Sequence, residues 1–91
     1  MRALLIVAAA LSAPAIAAPP PGAAACSGCH AASVEIASQV PRLTGREPVE
    51  ILKTMQEFRS GKRPATVMDR IAKGFTDDEI RAIAAWYGSQ R

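Results

Sequence analysis

Cys26-Ser27-Gly28-Cys29-His30 is the segment that decides the fold of this 91-residue chain. It contains both cysteines and the one histidine of the sequence. A chain of this length has room for one small domain, and small domains usually need a disulfide, a metal or a large cofactor to supplement their core. Only 4% of the residues are aromatic. The composition therefore favours a protein whose core is completed by a bound group.

The C-x-x-C-H spacing of this segment is the attachment signature of a c-type haem. Two thiols three positions apart on a helical turn can reach the two vinyl groups along one edge of a porphyrin and form thioethers. The residue that follows then presents its imidazole to the iron. The sequence therefore predicts one covalent haem c, bound through Cys26 and Cys29, with His30 as an axial ligand.

Two other interpretations of the cysteines are weaker. One is a disulfide between Cys26 and Cys29, which would make the chain a binding module without haem. A disulfide of the thioredoxin type normally lies beside alternating strands and helices. The sequence predicts no such alternation. A structural zinc site needs four nitrogen or sulfur ligands, whereas the cysteines and the histidine supply only three.

The N-terminus has the features of a secretory signal peptide. A short cationic start is followed by the apolar run Ala3 to Leu11 and by the cleavage signature Ala15-Ile16-Ala17. An apolar run of this length spans roughly 14 Å as a helix, about half of a hydrocarbon core, so no permanent membrane span is expected. We predict that residues 1–17 are removed, that residues 18–91 form the domain, and that the protein works in the periplasm.

The remaining sequence predicts an all-α domain of three to four helices. The helical patterns cover Ala23 to about Ser33, Pro48 to Ser60, Met68 to Lys73, and Asp77 to about Ser89. Residues 34–46 and 61–67 are expected to form loops. Ile80, Ile83, Ala84 and Tyr87 share one face of the last helix.

Capping residues support these bounds. Pro48 suits a first helical position, and Gly61 and Gly74 are expected to cap the helices that precede them. Thr76 and Glu79 match the capping box, in which the two side chains bind free backbone N–H groups at a helix start.

Met55 and Met68 are the candidates for the second axial ligand, because Met1 leaves with the signal peptide. Met55 falls in the apolar stripe of a helix, where a methionine most simply fills the core. Met68 follows an irregular loop that can fold over the far face of a ring. We predict Met68 as the ligand, with Met55 and an open position as alternatives. Ligation by histidine and methionine suits one-electron transfer, whereas an open position would suit a haem enzyme or sensor.

Several segments together resemble the class I cytochromes c. They are the C-S-G-C-H motif, Pro41-Arg42-Leu43-Thr44-Gly45, the helix from Pro48, Phe58-Arg59-Ser60-Gly61-Lys62-Arg63, Met68 with Ile71-Ala72, and the closing helix with its aromatic pair. Within that class, the F-R-S-G-K-R-P segment is most similar to the small monohaem cytochrome subunit of flavocytochrome c sulfide dehydrogenase.

The resemblance implies roles for particular residues. Cys26 and Cys29 would carry the thioethers, His30 would be the proximal ligand and Met68 the distal ligand. The backbone carbonyl of Pro41 would accept the N–H of the proximal imidazole and orient the ring.

The last helix is also expected to cross the first. Trp86 or Tyr87 would lie at this crossing, close to Gly22 or to an alanine of the first helix. The sequence departs from the family pattern at Ala31, where many relatives have glycine, and it contains one attachment motif where some relatives have two haem domains.

The implied function is electron transfer and not catalysis. The chain would accept electrons from an FAD-containing sulfide dehydrogenase subunit and pass them singly to a soluble electron carrier. A freely diffusing donor to a terminal oxidase or to a photosynthetic reaction centre is the alternative.

Basic residues bracket Met68. They are Arg59, Lys62, Arg63, Arg70 and Lys73, and Asp69 is the only acid between positions 59 and 73. Loss of Arg2 lowers the formal net charge of the chain from +3 to about +2, which is too small to indicate nucleic-acid binding. A locally basic rim would instead steer an acidic redox partner. The alternative is a set of ordinary solvated side chains.

Overall fold

A computed structural model describes residues 2–9, 18–31 and 40–90. These ranges contain four helices and no strand: α1 (Ala23–Cys26), α2 (Pro48–Ser60), α3 (Met68–Ala72) and α4 (Asp77–Ser89). α2 packs against α3 and α4, and α4 also packs against α1. The predicted all-α class is confirmed.

The two long helices, α2 and α4, have the bounds that the sequence predicts. Pro48 opens α2, where its missing N–H needs no partner. Gly61 follows the last residue of α2 with a φ of 78°, a left-handed conformation that glycine adopts without strain. At the start of α4, Thr76 N donates to Glu79 Oε1 (2.9 Å) and Glu79 N donates to Thr76 Oγ1 (3.2 Å). The capping box is therefore confirmed.

α1 is shorter than predicted. It ends at Cys26, and the chain continues to His30 in tight turns in which Gly28 N donates to the carbonyl of Ala25. Glycine inside a helix costs roughly 0.5–1 kcal/mol relative to alanine, which disfavours regular helix through position 28. Residues 32–39, which include the end of the predicted helix and the start of the predicted loop, lie outside the described residues.

α3 begins at Met68 as predicted but ends at Ala72, one residue early. Gly74 is not the left-handed cap that the sequence suggested, because its φ is not positive. Instead, Gly74 N donates to Ile71 O at 3.0 Å. A tightened last turn of this kind needs no left-handed residue.

The core is small and lies where α4 meets α1 and α2. Its buried cluster consists of Ala23, Ile51, Ile83, Ala84 and Tyr87. The predicted apolar face of α4 is confirmed, with Trp86 partly buried beside it. Two of the five cluster members are alanines, so the side chains alone bury little apolar surface. This agrees with a core that a bound group completes.

The N-terminal residues 2–9 form neither helix nor strand, and Leu4 to Val7 are almost fully exposed. The predicted cleavage signature Ala15-Ile16-Ala17 lies outside the described residues. In the described part of the chain, no helix has the length and apolar character needed to cross a membrane.

Arg59 joins the end of α2 to the turn before α4. Its Nη1 lies 2.7 Å from Asp77 Oδ1, and its Nη2 donates to the Phe75 carbonyl at 3.2 Å. These contacts hold together the two ends of the segment 61–76, which includes Met68. The hydrogen bond from Arg59 is the main reason that the pKa of the Asp77 carboxyl lies below its ordinary value.

The Arg59 contact makes part of the folding stability depend on acidity. Because the pKa of Asp77 is lower in the folded chain than in the unfolded chain, its contribution is present above about pH 4 and is lost as the pH falls further. We expect Asp77→Asn to reduce the difference between the thermal midpoints at pH 6 and pH 3.

Asp78→Asn is the matched control, since Asp78 lies in the same first turn of α4 and, among the described residues, forms an ion pair only with the exposed Arg81, three residues along the chain. The control should keep the acid dependence of the parent chain. Equal dependence in the parent chain and in Asp77→Asn would contradict the assignment.

Candidate functional site

The attachment segment forms one compact turn at the end of α1. Cys29 N and His30 N both donate to the Cys26 carbonyl, at 3.2 and 2.8 Å. The two thiols are not joined to each other; Cys29 is exposed and Cys26 is partly buried. The structure therefore brings three of the predicted site residues together on a single turn.

His30 is oriented by Pro41, eleven positions away in the sequence. His30 Nδ1 lies 2.5 Å from the Pro41 carbonyl oxygen. Because a carbonyl oxygen only accepts hydrogen bonds, Nδ1 carries the proton. In the neutral ring the lone pair is then on Nε2, which is the atom that can bind a metal. This is the pairing that the resemblance implied for Pro41.

The loop that contains Pro41 is fixed to the last helix. Gly45 N donates to the Tyr87 carbonyl at 3.0 Å, and Leu43 packs against the buried cluster. Gly45 has a φ of 74°, which a side chain would strain. The loop that presents the Pro41 carbonyl is thus held by α4 as well as by its hydrogen bond with the attachment turn.

Burial acts on the first thiol of the motif. Cys26 Sγ donates to the Gly22 carbonyl at 3.6 Å and packs against the buried cluster. Burial raises the pKa of the Cys26 thiol, and smaller effects of hydrogen bonds oppose that rise. In the unmodified chain this thiol therefore stays protonated at neutral pH.

The two methionines lie in different surroundings. Met55 packs against the buried cluster, as expected for a residue that fills the core. Met68 opens α3 and is partly buried, and the apolar side chains beside it, Val67 and Ile71, remain 49% and 38% exposed. A thioether packed in the core is less available to a ligand than one at a helix start with exposed apolar neighbours. Met68 therefore remains the predicted ligand, with Met55 and an open position as the alternatives.

The donor set fits a haem better than it fits zinc. Residues 2–9, 18–31 and 40–90 include no group of three or more His, Cys, Asp or Glu residues that could hold a metal ion. Two thiols and an imidazole on one turn, with a thioether elsewhere, match the attachment and axial groups of a c-type haem. The exposed apolar side chains of Val67 and Ile71 also suit a large planar ligand.

Ser27 is a site residue that the sequence analysis missed, because the middle positions of C-x-x-C carry no chemistry in the motif. Its Oγ lies 2.8 Å from Tyr87 Oη. Tyr87, and not Trp86, is the aromatic residue at the crossing of α1 and α4, since its hydroxyl donates to the Ala23 carbonyl. Helical phase places Tyr87 within the apolar face of α4 and Trp86 at its edge, but it does not specify which ring reaches the Ala23 carbonyl.

The basic residues around Met68 fall into two groups. Arg59 is paired with Asp77, and Arg63 lies 3.5 Å from Glu57 and stacks over the ring of Phe58. The other three of the five basic residues around Met68, Lys62, Arg70 and Lys73, are exposed and form no ion pair within the described ranges. The net positive charge near Met68 is therefore carried by these three residues.

Comparisons with known proteins find several relatives. The chain is 39% identical over 64 residues to the cytochrome subunit of sulfide dehydrogenase of Chlorobaculum tepidum, covering 70% of this chain and 58% of that protein. It is 39% identical over 67 residues to the thiosulfate dehydrogenase electron acceptor of Stutzerimonas stutzeri, covering 71% of this chain and 31% of that protein. It is 33% identical over 69 residues to cytochrome c-554(548) of Halomonas halodenitrificans, covering 71% of this chain and 83% of that protein.

The aligned region thus covers less than two thirds of the first two relatives and most of the third. No protein-family model matches the chain.

Proposed function

Because the chain belongs to the class I cytochromes c, we propose that it binds one haem c through thioethers from Cys26 and Cys29, with His30 and Met68 as axial ligands. As a c-type cytochrome it serves electron transfer and is not an enzyme by itself. The bound haem would supply the one-electron couple of its iron.

The hydrogen bond from His30 Nδ1 to the Pro41 carbonyl is the observation that carries this proposal. It leaves Nε2 as the ligating atom and holds the ring in one orientation beside the two thiols. A bond of this kind also fixes the tautomer of the imidazole and strengthens it as a ligand. The chain's role is thus to hold its ligands in one geometry, which keeps the reorganisation on electron transfer small.

Met68 would complete the site from α3. The contacts of Arg59 with Asp77 and Phe75 shorten the span of the segment that includes Met68 and limit its freedom. A fixed thioether leaves no position for a substrate or for O₂. This supports transfer of electrons in preference to reaction with a small molecule.

The proposed partner is an FAD-containing sulfide dehydrogenase subunit, with a soluble carrier as the next acceptor. Two relatives support this assignment: one is a cytochrome subunit of sulfide dehydrogenase and another an electron acceptor of thiosulfate dehydrogenase. Both names associate a protein similar to this chain with the oxidation of a reduced sulfur compound. We place the protein in the periplasm, with residues 1–17 as its cleaved signal peptide and residues 18–91 as the cytochrome domain.

The exposed cations Lys62, Arg70 and Lys73 form the proposed docking surface for this partner. They lie on both sides of Met68 in the sequence and form no ion pair within the described residues. An acidic patch on the flavoprotein would be attracted to them over about a Debye length, roughly 8 Å at physiological salt. The surface would thus accelerate encounter more than it strengthens the complex.

The haem attachment is tested by mass spectrometry of the secreted protein from a host with haem-attachment machinery. We expect the mass of residues 18–91 plus one haem, together with a Soret band that persists after denaturation. Cys26→Ser with Cys29→Ser should secrete without covalent haem, because no thioether can form. Free thiols, or a disulfide between the two cysteines, in the parent chain would refute the proposal.

Met68→Leu and Met55→Leu are a matched pair that tests the second ligand. Loss of the thioether ligand should lower the reduction potential and let the ferrous protein bind carbon monoxide rapidly. We expect both effects in Met68→Leu and neither in Met55→Leu. The reverse result would assign Met55, and rapid binding of carbon monoxide by the parent protein would indicate an open position.

The docking surface is tested by the rate of reduction by the sulfide dehydrogenase flavoprotein at increasing ionic strength. Electrostatic steering typically changes association rates by 10-fold or more. We expect the rate to fall with salt, and we expect the triple variant Lys62→Gln, Arg70→Gln, Lys73→Gln to be about tenfold slower at low salt and nearly insensitive to salt.

Lys53→Gln, which removes an exposed cation from the middle of α2, is the control and should behave as the parent chain does. A rate that is independent of salt in the parent chain would remove the docking surface. Failure of the flavoprotein to reduce the cytochrome, with rapid oxidation by a terminal oxidase, would favour the freely diffusing donor instead.

A further inference from the structure

Tyr87 connects the last helix to the attachment turn. Its side chain is only 2% exposed, and its hydroxyl contacts two groups more than fifty residues away in the sequence. One is the Ala23 carbonyl at 2.5 Å and the other is Ser27 Oγ at 2.8 Å. Ala23 opens α1, and Ser27 follows its last residue, Cys26. The hydroxyl therefore spans the helix turn that ends at the first cysteine.

The direction of these hydrogen bonds follows from the groups involved. A tyrosine hydroxyl has one proton, and the Ala23 carbonyl can only accept it. The Ser27 hydroxyl must then donate to the Tyr87 oxygen. Both bonds can be satisfied at once, so the buried hydroxyl has no unused proton: it donates to the backbone carbonyl of Ala23 and accepts from the side-chain hydroxyl of Ser27.

The backbone of Tyr87 holds the other half of the site. Its carbonyl accepts from Gly45 N at 3.0 Å and thereby fixes the loop that contains Pro41. The side chain of Tyr87 thus contacts the segment that presents His30, and its main chain contacts the segment that accepts the His30 hydrogen bond. One residue of α4 sets the relative position of both partners.

The attachment turn cannot hold this position by itself. α1 has four residues, lacks a side-chain cap and has no acidic residue in its first turn. Isolated helices shorter than about 12–15 residues are marginal in water, so a four-residue helix depends on tertiary contacts. Gly28, next in the motif, adds backbone freedom.

We infer that the Tyr87 hydroxyl is a positioning group for the attachment turn, acting through Ser27 and the Ala23 carbonyl. It keeps the turn closed, so that Cys26, Cys29 and His30 keep one arrangement. The inference rests on the proposed function only in assigning haem attachment to this turn. The closure of the turn is a property of the folded chain and can be measured separately.

Amide hydrogen exchange of the secreted full-length domain, measured on the protein as it is secreted, tests this role. The Cys29 and His30 amides both donate to the Cys26 carbonyl and report opening of the turn. We expect Tyr87→Phe to lower the protection of these two amides about tenfold, as loss of a buried hydrogen bond predicts, while the amides of α2 keep theirs. Ser27→Ala should have a similar but smaller effect, and Ser27→Thr, which retains the hydroxyl, should restore protection.

Comparison of the single and double variants separates positioning from general stability. Tyr87→Phe combined with Ser27→Ala should lose little more protection than Tyr87→Phe alone, because both remove the same contact. Ser89→Ala, which removes an exposed hydroxyl near the end of the same helix, is the control and should leave the turn unchanged.

A uniform loss of protection in the turn and in α2, additive effects of the two changes, or no effect in Ser27→Ala would overturn the inference. If Tyr87→Phe does not fold, the exposed Ser27 variants still decide the question. The Soret band of each variant reports haem attachment independently. Its absence in the parent chain would refute the proposed function without touching the exchange result.

Discussion

The hydrogen bond between His30 Nδ1 and the Pro41 carbonyl is the contact on which the site depends. It joins the turn after α1 to the loop before α2 and fixes which ring nitrogen is free to ligate. Neither segment belongs to a long helix, so neither has its own regular hydrogen-bond ladder to hold it. Both are held by α4, the side chain of Tyr87 contacting one and its main chain the other. The last helix, α4, therefore holds both segments of the site in place.

A second constraint comes from the size of the core. The buried cluster contains one aromatic side chain, and its other members are isoleucines and alanines. At about 25 cal/mol per Å² of buried apolar surface, such a cluster leaves little margin over the conformational entropy of the chain. The exposed apolar side chains of Val67 and Ile71, beside Met68, also indicate a fold that a bound group completes. A covalently bound haem would cover such surface and link α1 to the rest of the fold.

The ion pair between Arg59 and Asp77 has a different role from the exposed cations near it. It lies between the end of α2 and the start of α4 and includes a further bond to the Phe75 carbonyl. Such a network organises the segment with Met68, whereas an isolated exposed pair contributes little. Sequence proximity placed Arg59 with Lys62, Arg70 and Lys73 in one basic rim. Because Arg59 is paired with Asp77, it stabilises the fold, and the basic rim contains fewer unpaired cations than the sequence suggested.

The amino-acid sequence by itself determined the elements whose signals are local. Both bounds of α2 and the start of α4 follow from Pro48, Gly61 and the Thr76 capping box, and the C-x-x-C-H motif predicts the proposed haem attachment. These signals act over three or four residues, which is the range over which backbone hydrogen bonds and helix caps operate.

Only the tertiary structure decided the end of α1, the choice of Tyr87 over Trp86, and the contact of Ser27 with Tyr87. Each of these depends on a partner sixty or more positions away in the sequence or on a helix too short to form alone. No local pattern specifies which hydroxyl meets which carbonyl when two helices cross. That pairing is fixed by the packing of α1 against α4, and the geometry of the attachment turn follows from it.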